Sequence, residues 1–176
     1  MKRGLAWSLR GLGEVAQSNG NCTLARSLFE ESVSLLGSAG YRTGWGTGLS
    51  IYCLGRLLQI QGNYEEATSA LFESLTLLRR LEARRDVAAC LGTIASLSAS
   101  KYQYSRANRL LAASQSLMKS IAASFDPPVR ADFDSTLAVV RAWLDTNELA
   151  NGWMEGQAMS MEQAVVYALA STDSQV

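Results

Sequence analysis

The 176-residue chain contains no histidine, so it lacks the side chain that most often acts as an acid or base near neutral pH. Its three cysteines, Cys22, Cys53 and Cys90, are odd in number and show no CxxC spacing, which argues against a disulfide framework or a zinc site. It also has no GxxxxGK[ST] or GxGxxG motif that could hold a phosphate. We therefore expect no enzyme activity, no metal and no cofactor.

The chain also lacks a net charge, because 16 basic residues balance 16 acidic ones. No overall electric field therefore favours nucleic acid or an anionic membrane. The sequence has no apolar run of the roughly 18 residues that a membrane-spanning helix needs, and its N-terminus shows no signal-peptide pattern. These features predict a soluble, cytoplasmic protein that binds neither nucleic acid nor membrane through this segment.

Two short stretches could suggest a ligand, but their patterns favour a structural role. The glycines of "RTGWGTG" (42–48) do not have the spacing of a phosphate loop, and we interpret this stretch as a loop that runs into a helix. In "LRRLEARRD" (78–86), two pairs of arginines occur together with Glu82 and Asp86. A nucleic-acid patch is the alternative there, but a solvated boundary between repeats is the better interpretation.

The chain contains an internal repeat. Residues 12–36 and 54–78 are identical at 11 of 25 positions, and a weaker third copy lies 40 residues further on. Only two prolines occur, and each copy shows apolar residues at helical spacing on both sides of a short break. The expected fold class is therefore all-α, with two helices in each copy.

Small residues recur at matching positions and predict where the two helices of each pair cross. They are glycine or alanine in the first helices and alanine and serine in the second. The members of this set are Gly13, Gly55, Ala95, Ala25, Ala67, Ala107, Ser32, Ser74 and Ser114. Gly20 and Gly62 are predicted to end the first helices with a positive φ, whereas Tyr102 in the third copy predicts a differently built turn.

The predicted organisation is one domain of three helix pairs, at about 1–40, 41–82 and 83–124, followed by C-terminal capping helices over 125–176. Asp126 is expected to cap the first of these helices, a short segment is expected around 149–153, and Ser160 and Gln163 form a capping box before the last. No polar capping helix precedes the first pair. We therefore expect that the chain comes from a longer array, the alternative being that its first helix self-associates.

The recurring "LG…G…A…S" positions resemble tetratricopeptide repeats with the longer spacing of the kinesin-light-chain and MalT-like types. The stretches "RGLAWSLRGLGEVAQ", "LARSLFEESVSLL" and "GWMEGQAMSMEQAVVYALA" are further similar to the C-terminal helical region of bacterial ATPase transcriptional regulators of the LuxR and SARP types. This resemblance implies a right-handed α-solenoid. It also implies a non-catalytic sensor or protein-interaction module of a signalling regulator.

In such repeats the first helices line a concave face that binds a peptide, a partner protein or an inducer. The resemblance places this face on aromatic, arginine and other side chains that are common at interfaces. They are Trp7, Arg10, Glu14, Gln17, Leu49, Tyr52, Arg56 and Gln59. Trp7 and Tyr52 could equally fill gaps between repeats, and the alternative function is an oligomerisation scaffold without a ligand on this face.

Overall fold

The structure, a computed structural model, describes residues 2–170, and these residues form nine α-helices and no strand. The predicted all-α class is thereby confirmed. The last six residues of the predicted capping region 125–176 lie outside the described residues. The helices are α1 (Lys2–Ser18), α2 (Cys22–Ser38), α3 (Trp45–Ile60), α4 (Tyr64–Arg80), α5 (Arg84–Ser100), α6 (Tyr104–Ser120), α7 (Pro127–Trp143), α8 (Thr146–Ala158) and α9 (Met161–Leu169).

The chain divides into two compact units, residues 1–83 and 84–176. In the first unit α1 packs on α2, α3 packs on α4, and α2 also packs on α3. In the second unit α5 packs on α6, and α7, α8 and α9 pack on this pair. Helix pairing therefore follows the sequence repeat.

Each of the first six helices is followed by a residue with a positive φ, two positions after its last residue. Three of these residues are glycines, Gly20, Gly40 and Gly62, and three are Glu82, Tyr102 and Ala122, with φ of 51°, 61° and 51°. In every case the next residue donates its N–H to a carbonyl five residues earlier, as in a Schellman motif. This hydrogen bond satisfies a carbonyl at the helix end whether or not the residue is glycine.

The expectation that Tyr102 would require a different turn is wrong. The N–H of Gln103 donates to the Ser98 carbonyl at 2.9 Å, the same distance as in the turns that follow Gly20 and Gly62. Tyr102 adopts the left-handed conformation of those glycines, although a side chain makes this conformation costly. The main-chain hydrogen bonds outweigh the residue's own preference.

Replacing Tyr102 by glycine is expected to raise the free energy of unfolding by about 1 kcal/mol, because glycine adopts a positive φ without steric cost. The Tyr102 side chain is 79% exposed, and what its removal loses is a distant edge-to-face contact with the Tyr104 ring, with centroids 6.4 Å apart. Urea unfolding measures the change. Gly62→Ala is the matched control and should have the opposite sign; equal stability of wild type and Tyr102→Gly would contradict the argument.

Small residues lie at the helix crossings, as the repeat predicts. A Cβ atom at Gly13 would lie 2.5 Å from Cε1 of Phe29, and one at Gly55 would lie 2.9 Å from Cγ of Leu71. Ala25, Ala67 and Ala107 are fully buried in the second helices. A glycine therefore lets a large side chain of the partner helix approach its backbone.

The recurring serines also form hydrogen bonds between the two helices of each pair. Ser32, Ser74 and Ser114 each donate a side-chain hydrogen bond to a main-chain carbonyl 26 residues earlier, at 2.8, 2.8 and 2.6 Å. The acceptors belong to Ala6, Gly48 and Ala88 on the first helix of the same pair. All three serines are fully buried. Each helix pair is therefore joined by one buried polar contact that needs no partner side chain.

The C-terminal helices differ partly from expectation. The predicted short segment around 149–153 is wrong, because α8 is a 13-residue helix that begins with a capping box of Asp145 and Glu148. The predicted Ser160–Gln163 capping box is confirmed. Asp126 takes the predicted N-cap position of α7 but caps no N–H with its side chain. Its carboxylate instead accepts a hydrogen bond from Arg85 Nη2 at 2.8 Å.

Hydrogen bonds from Asn108 and Arg106 are among the contacts that attach these helices to α6. The side-chain amide of Asn108 donates to the Leu149 carbonyl of α8 at 2.9 Å. Arg106 donates to the Ala168 carbonyl of α9 at 2.6 Å, and its guanidinium lies 5.4 Å from the centre of the Tyr167 ring. Burial lowers the pKa of Arg106. The hydrogen bond from Arg106 to the C-terminal end of α9 is therefore formed by a partly desolvated guanidinium.

Candidate protein-interaction surface

The eight predicted site residues occupy four equivalent positions on α1 and α3, separated by the repeat of 42 residues. The two helices contact each other within the first compact unit. We call the set Trp7, Arg10, Glu14, Gln17, Leu49, Tyr52, Arg56 and Gln59 the α1/α3 surface. Its side chains differ in exposure and in how firmly they are held.

An aromatic pair stands at one end of the α1/α3 surface. The rings of Trp7 and Trp45 meet edge to face with centroids 5.5 Å apart. They are 45% and 41% exposed. A Cβ atom at Gly46 would lie 2.9 Å from Nε1 of Trp7, so this glycine leaves room for the indole. Trp45 is a site residue that the sequence prediction missed, because its glycine-rich surroundings indicated a loop.

A polar cluster follows one turn further along α1. Arg10 Nη1 and Glu14 Oε1 form an ion pair at 2.5 Å, and the Cys53 thiol of α3 donates to the same Glu14 oxygen at 3.4 Å. Burial, followed by the nearby Glu14 carboxylate, raises the pKa of Cys53 to about 12. The thiol therefore stays protonated at neutral pH and serves as a donor rather than a nucleophile. Glu14 thus connects the Arg10 guanidinium to α3.

The α3 half of the surface is less exposed. Tyr52 is only 8% exposed, so it offers little area to a partner. Leu49, Arg56 and Gln59 are half-buried, as is Gln17 on α1. The structure therefore brings Trp7, Arg10 and Glu14 together with Trp45 and Cys53, and places Tyr52 mainly within the packed interior.

Two other concave regions lie outside the prediction. A cleft of about 410 Å³ opens between α2, α3 and α4, with Arg42 and Glu73 on its wall. A shallower, more apolar groove of about 640 Å³ lies along α8 and α9. Its lining includes Met159, Val166 and Tyr167. Within residues 2–170 no group of three or more cysteine, aspartate or glutamate side chains is arranged to hold a metal ion.

Of the helices that the structure describes, none is both long and apolar enough to cross a membrane. No protein-family model matches the sequence. No curated protein matches it either. The likeness to tetratricopeptide repeats and to bacterial transcriptional regulators therefore stays a prediction from the sequence.

Proposed function

We propose that the chain is a non-catalytic protein-interaction module that binds a peptide or protein partner on the α1/α3 surface. The observation that supports this most directly is the exposed Trp7 ring, which shares one side of α1 with the Arg10–Glu14 pair a turn further along. Tryptophan and arginine are the residue types that most often dominate binding energy at interfaces. A nearly half-exposed indole and a guanidinium on the same side of one helix offer a partner both apolar area and a charged donor.

The fixed positions of these groups add support. Trp7 packs against Trp45, Arg10 is paired with Glu14, and Glu14 accepts the Cys53 thiol hydrogen bond. Side chains already held in one arrangement lose little conformational entropy when a partner binds. The same cluster has no obvious catalytic use, because its thiol is protonated and its carboxylate is paired.

The biological setting of the proposal comes from the resemblance. A helical array of this kind in a LuxR- or SARP-type regulator would sense a partner or inducer and pass the signal to a separate effector. We place the chain in the cytoplasm, where the free thiols of Cys22, Cys53 and Cys90 would stay reduced. The balanced charge of the chain favours a protein or peptide over nucleic acid.

The test is charge reversal on the surface. Once a partner has been identified by affinity capture, Arg10→Glu combined with Arg56→Glu should weaken its binding at least about 30-fold, a typical hot-spot effect. Trp7→Ala should have an effect of similar size. Isothermal titration calorimetry measures the affinities, and circular dichroism verifies that the variants stay folded.

Arg130→Glu is the matched control, because this arginine is exposed on α7 and its contacts are local: an ion pair with Asp134 one turn away and a guanidinium 5.5 Å from the centre of the Phe133 ring. Loss of an exposed ion pair costs little stability. Partner affinity should be unchanged in this variant. If the double reversal on α1 and α3 also leaves affinity unchanged, the α1/α3 surface is not the binding site.

A further inference from the structure

Helix α1 exposes a second face that carries no charge. Leu5, Leu12 and Val15 are 54%, 57% and 57% exposed. The small residues Gly4, Ser8 and Gly11 lie between them at the three- and four-residue spacings that define one side of a helix. We call these six residues the α1 outer face. It shares no residue with the α1/α3 surface.

The equivalent face of α3 is covered. Thr47, Ser50 and Leu57 correspond to Leu5, Ser8 and Val15 through the 42-residue repeat, and they are 4%, 1% and 0% exposed. Helix α2 packs on this side of α3 within the first unit. The structure therefore shows directly what kind of element the repeat places on such a face.

The contact that covers α3 has a definite chemistry. Ser50 donates to its own helix at the Gly46 carbonyl at 3.0 Å, and its hydroxyl lies 2.9 Å from the hydroxyl of Ser32 on α2. One turn further along α2, Leu36 packs so closely that a Cβ at Gly46 would lie 3.7 Å from its Cδ1. The covering helix thus supplies a serine followed four residues later by a leucine.

Helix α1 has the same features that α3 contributes to its contact with α2. Ser8 donates to the Gly4 carbonyl at 3.2 Å, as Ser50 does to Gly46, yet Ser8 remains exposed. Gly4 and Gly11 have open space where a Cβ would be, so another backbone can approach them. The α1 outer face thus has the geometry of the α3 face before a helix covers it.

We propose that the α1 outer face binds an amphipathic helix of the α2 type, one that sets a serine against Ser8 and a leucine against Gly4. The absence of charge favours an apolar stripe over an acidic or basic segment. A second copy of this chain fits less well, because its own Ser32 and Leu36 are already buried in contacts with α1 and α3. This inference is independent of the proposed function, since it concerns another side of α1.

A fluorescently labelled peptide with the sequence of residues 21–40 is the probe, added to the complete chain. Its α3-facing stripe should bind the α1 outer face of the wild type. Leu12→Arg should weaken binding at least about 30-fold, because it places a charge in the centre of an apolar contact. Leu12 is 57% exposed, so thermal unfolding should change little and confirm that the variant folds.

Two matched variants separate the possible results. Peptide with Leu36→Arg should not bind, whereas the Arg10→Glu, Arg56→Glu protein should bind the normal peptide as well as the wild type does. No binding to wild type, or equal binding to Leu12→Arg, overturns the proposal; the latter result would mean that the peptide displaces the chain's own α2. Sedimentation velocity of the protein alone gives the remaining outcome. A dimer that Leu12→Arg dissociates would make a second copy the occupant and would also overturn the proposal.

Discussion

Gly156→Ala is expected to lower the free energy of unfolding of the second compact unit by about 3 kcal/mol, the upper end of the usual cost of overpacking. A Cβ atom at this position would overlap the Arg109 main-chain carbonyl oxygen and would lie 2.7 Å from Cβ of Ala112. Neither atom can move away by a change of rotamer. Helix α8 would therefore have to separate from α6, the helix on which it packs.

Urea unfolding followed by far-UV circular dichroism measures this effect. Gly11→Ala is the matched control, because a Cβ at Gly11 has open space and alanine favours a helix over glycine by about 1 kcal/mol. The control should therefore be as stable as the wild type or more stable. A Gly156→Ala protein with wild-type stability would show that α8 does not lie this close to α6.

Gly13→Ala should destabilise the first unit by about 2 kcal/mol, and Phe29→Leu in the same chain should restore at least half of the loss. The added methyl group would lie 2.5 Å from Cε1 of Phe29, which is fully buried and has no room to withdraw. The double variant recreates the combination found in the third pair, where Ala95 and Leu111 take the equivalent positions and are both fully buried.

A double-mutant cycle of the four proteins measures the coupling. Phe29→Leu alone should cost stability, because it leaves a cavity beside Gly13. The coupling energy should therefore favour the double variant by more than about 1 kcal/mol. If the two single losses simply add, the ring of Phe29 and the backbone at Gly13 are not the contact that sets the distance between α1 and α2.

The helix pairs could be predicted from the sequence because the repeat appears three times, and each copy supports the others. The crossing residues follow from the same repetition, since a glycine that recurs opposite a large apolar residue indicates close packing. The length of α8 was underestimated because its sequence has no second copy to support a prediction. Its Gly152 and Gly156 look like helix breakers in isolation, although they are the points at which α8 meets α6.

The turn at Tyr102 could not be predicted from local preference. Tyrosine disfavours a positive φ, but the main-chain hydrogen bonds at the end of α5 impose the conformation that glycine takes at the other two positions. The role of Trp45 was hidden in a similar way, because the glycines around it suggested a loop, whereas Gly46 and Gly48 lie within α3. At Tyr102 the main-chain hydrogen bonds outweigh the preference of the single residue. At Gly46 and Gly48 close contacts with other helices do so.

The side-chain contacts within the α1/α3 surface could be predicted from the sequence only in part. Helical spacing places Trp7, Arg10 and Glu14 on one side of α1, and the structure agrees in bringing Arg10 and Glu14 together. The spacing contains no information on which α3 side chain meets Glu14. That contact depends on the rotation of α3 about its axis, which brings the buried Cys53 thiol within 3.4 Å of the carboxylate.

The serine contacts between paired helices have an evolutionary consequence. Since Ser32, Ser74 and Ser114 bond to peptide carbonyls, every amino acid that fits sterically at Ala6, Gly48 or Ala88 supplies the same acceptor. Substitutions at the two ends of such a contact are under no pressure to compensate one another. Covariation among homologous sequences should therefore be weak at these three crossings. The contact should instead be recognisable as a single invariant serine within a leucine-rich helix.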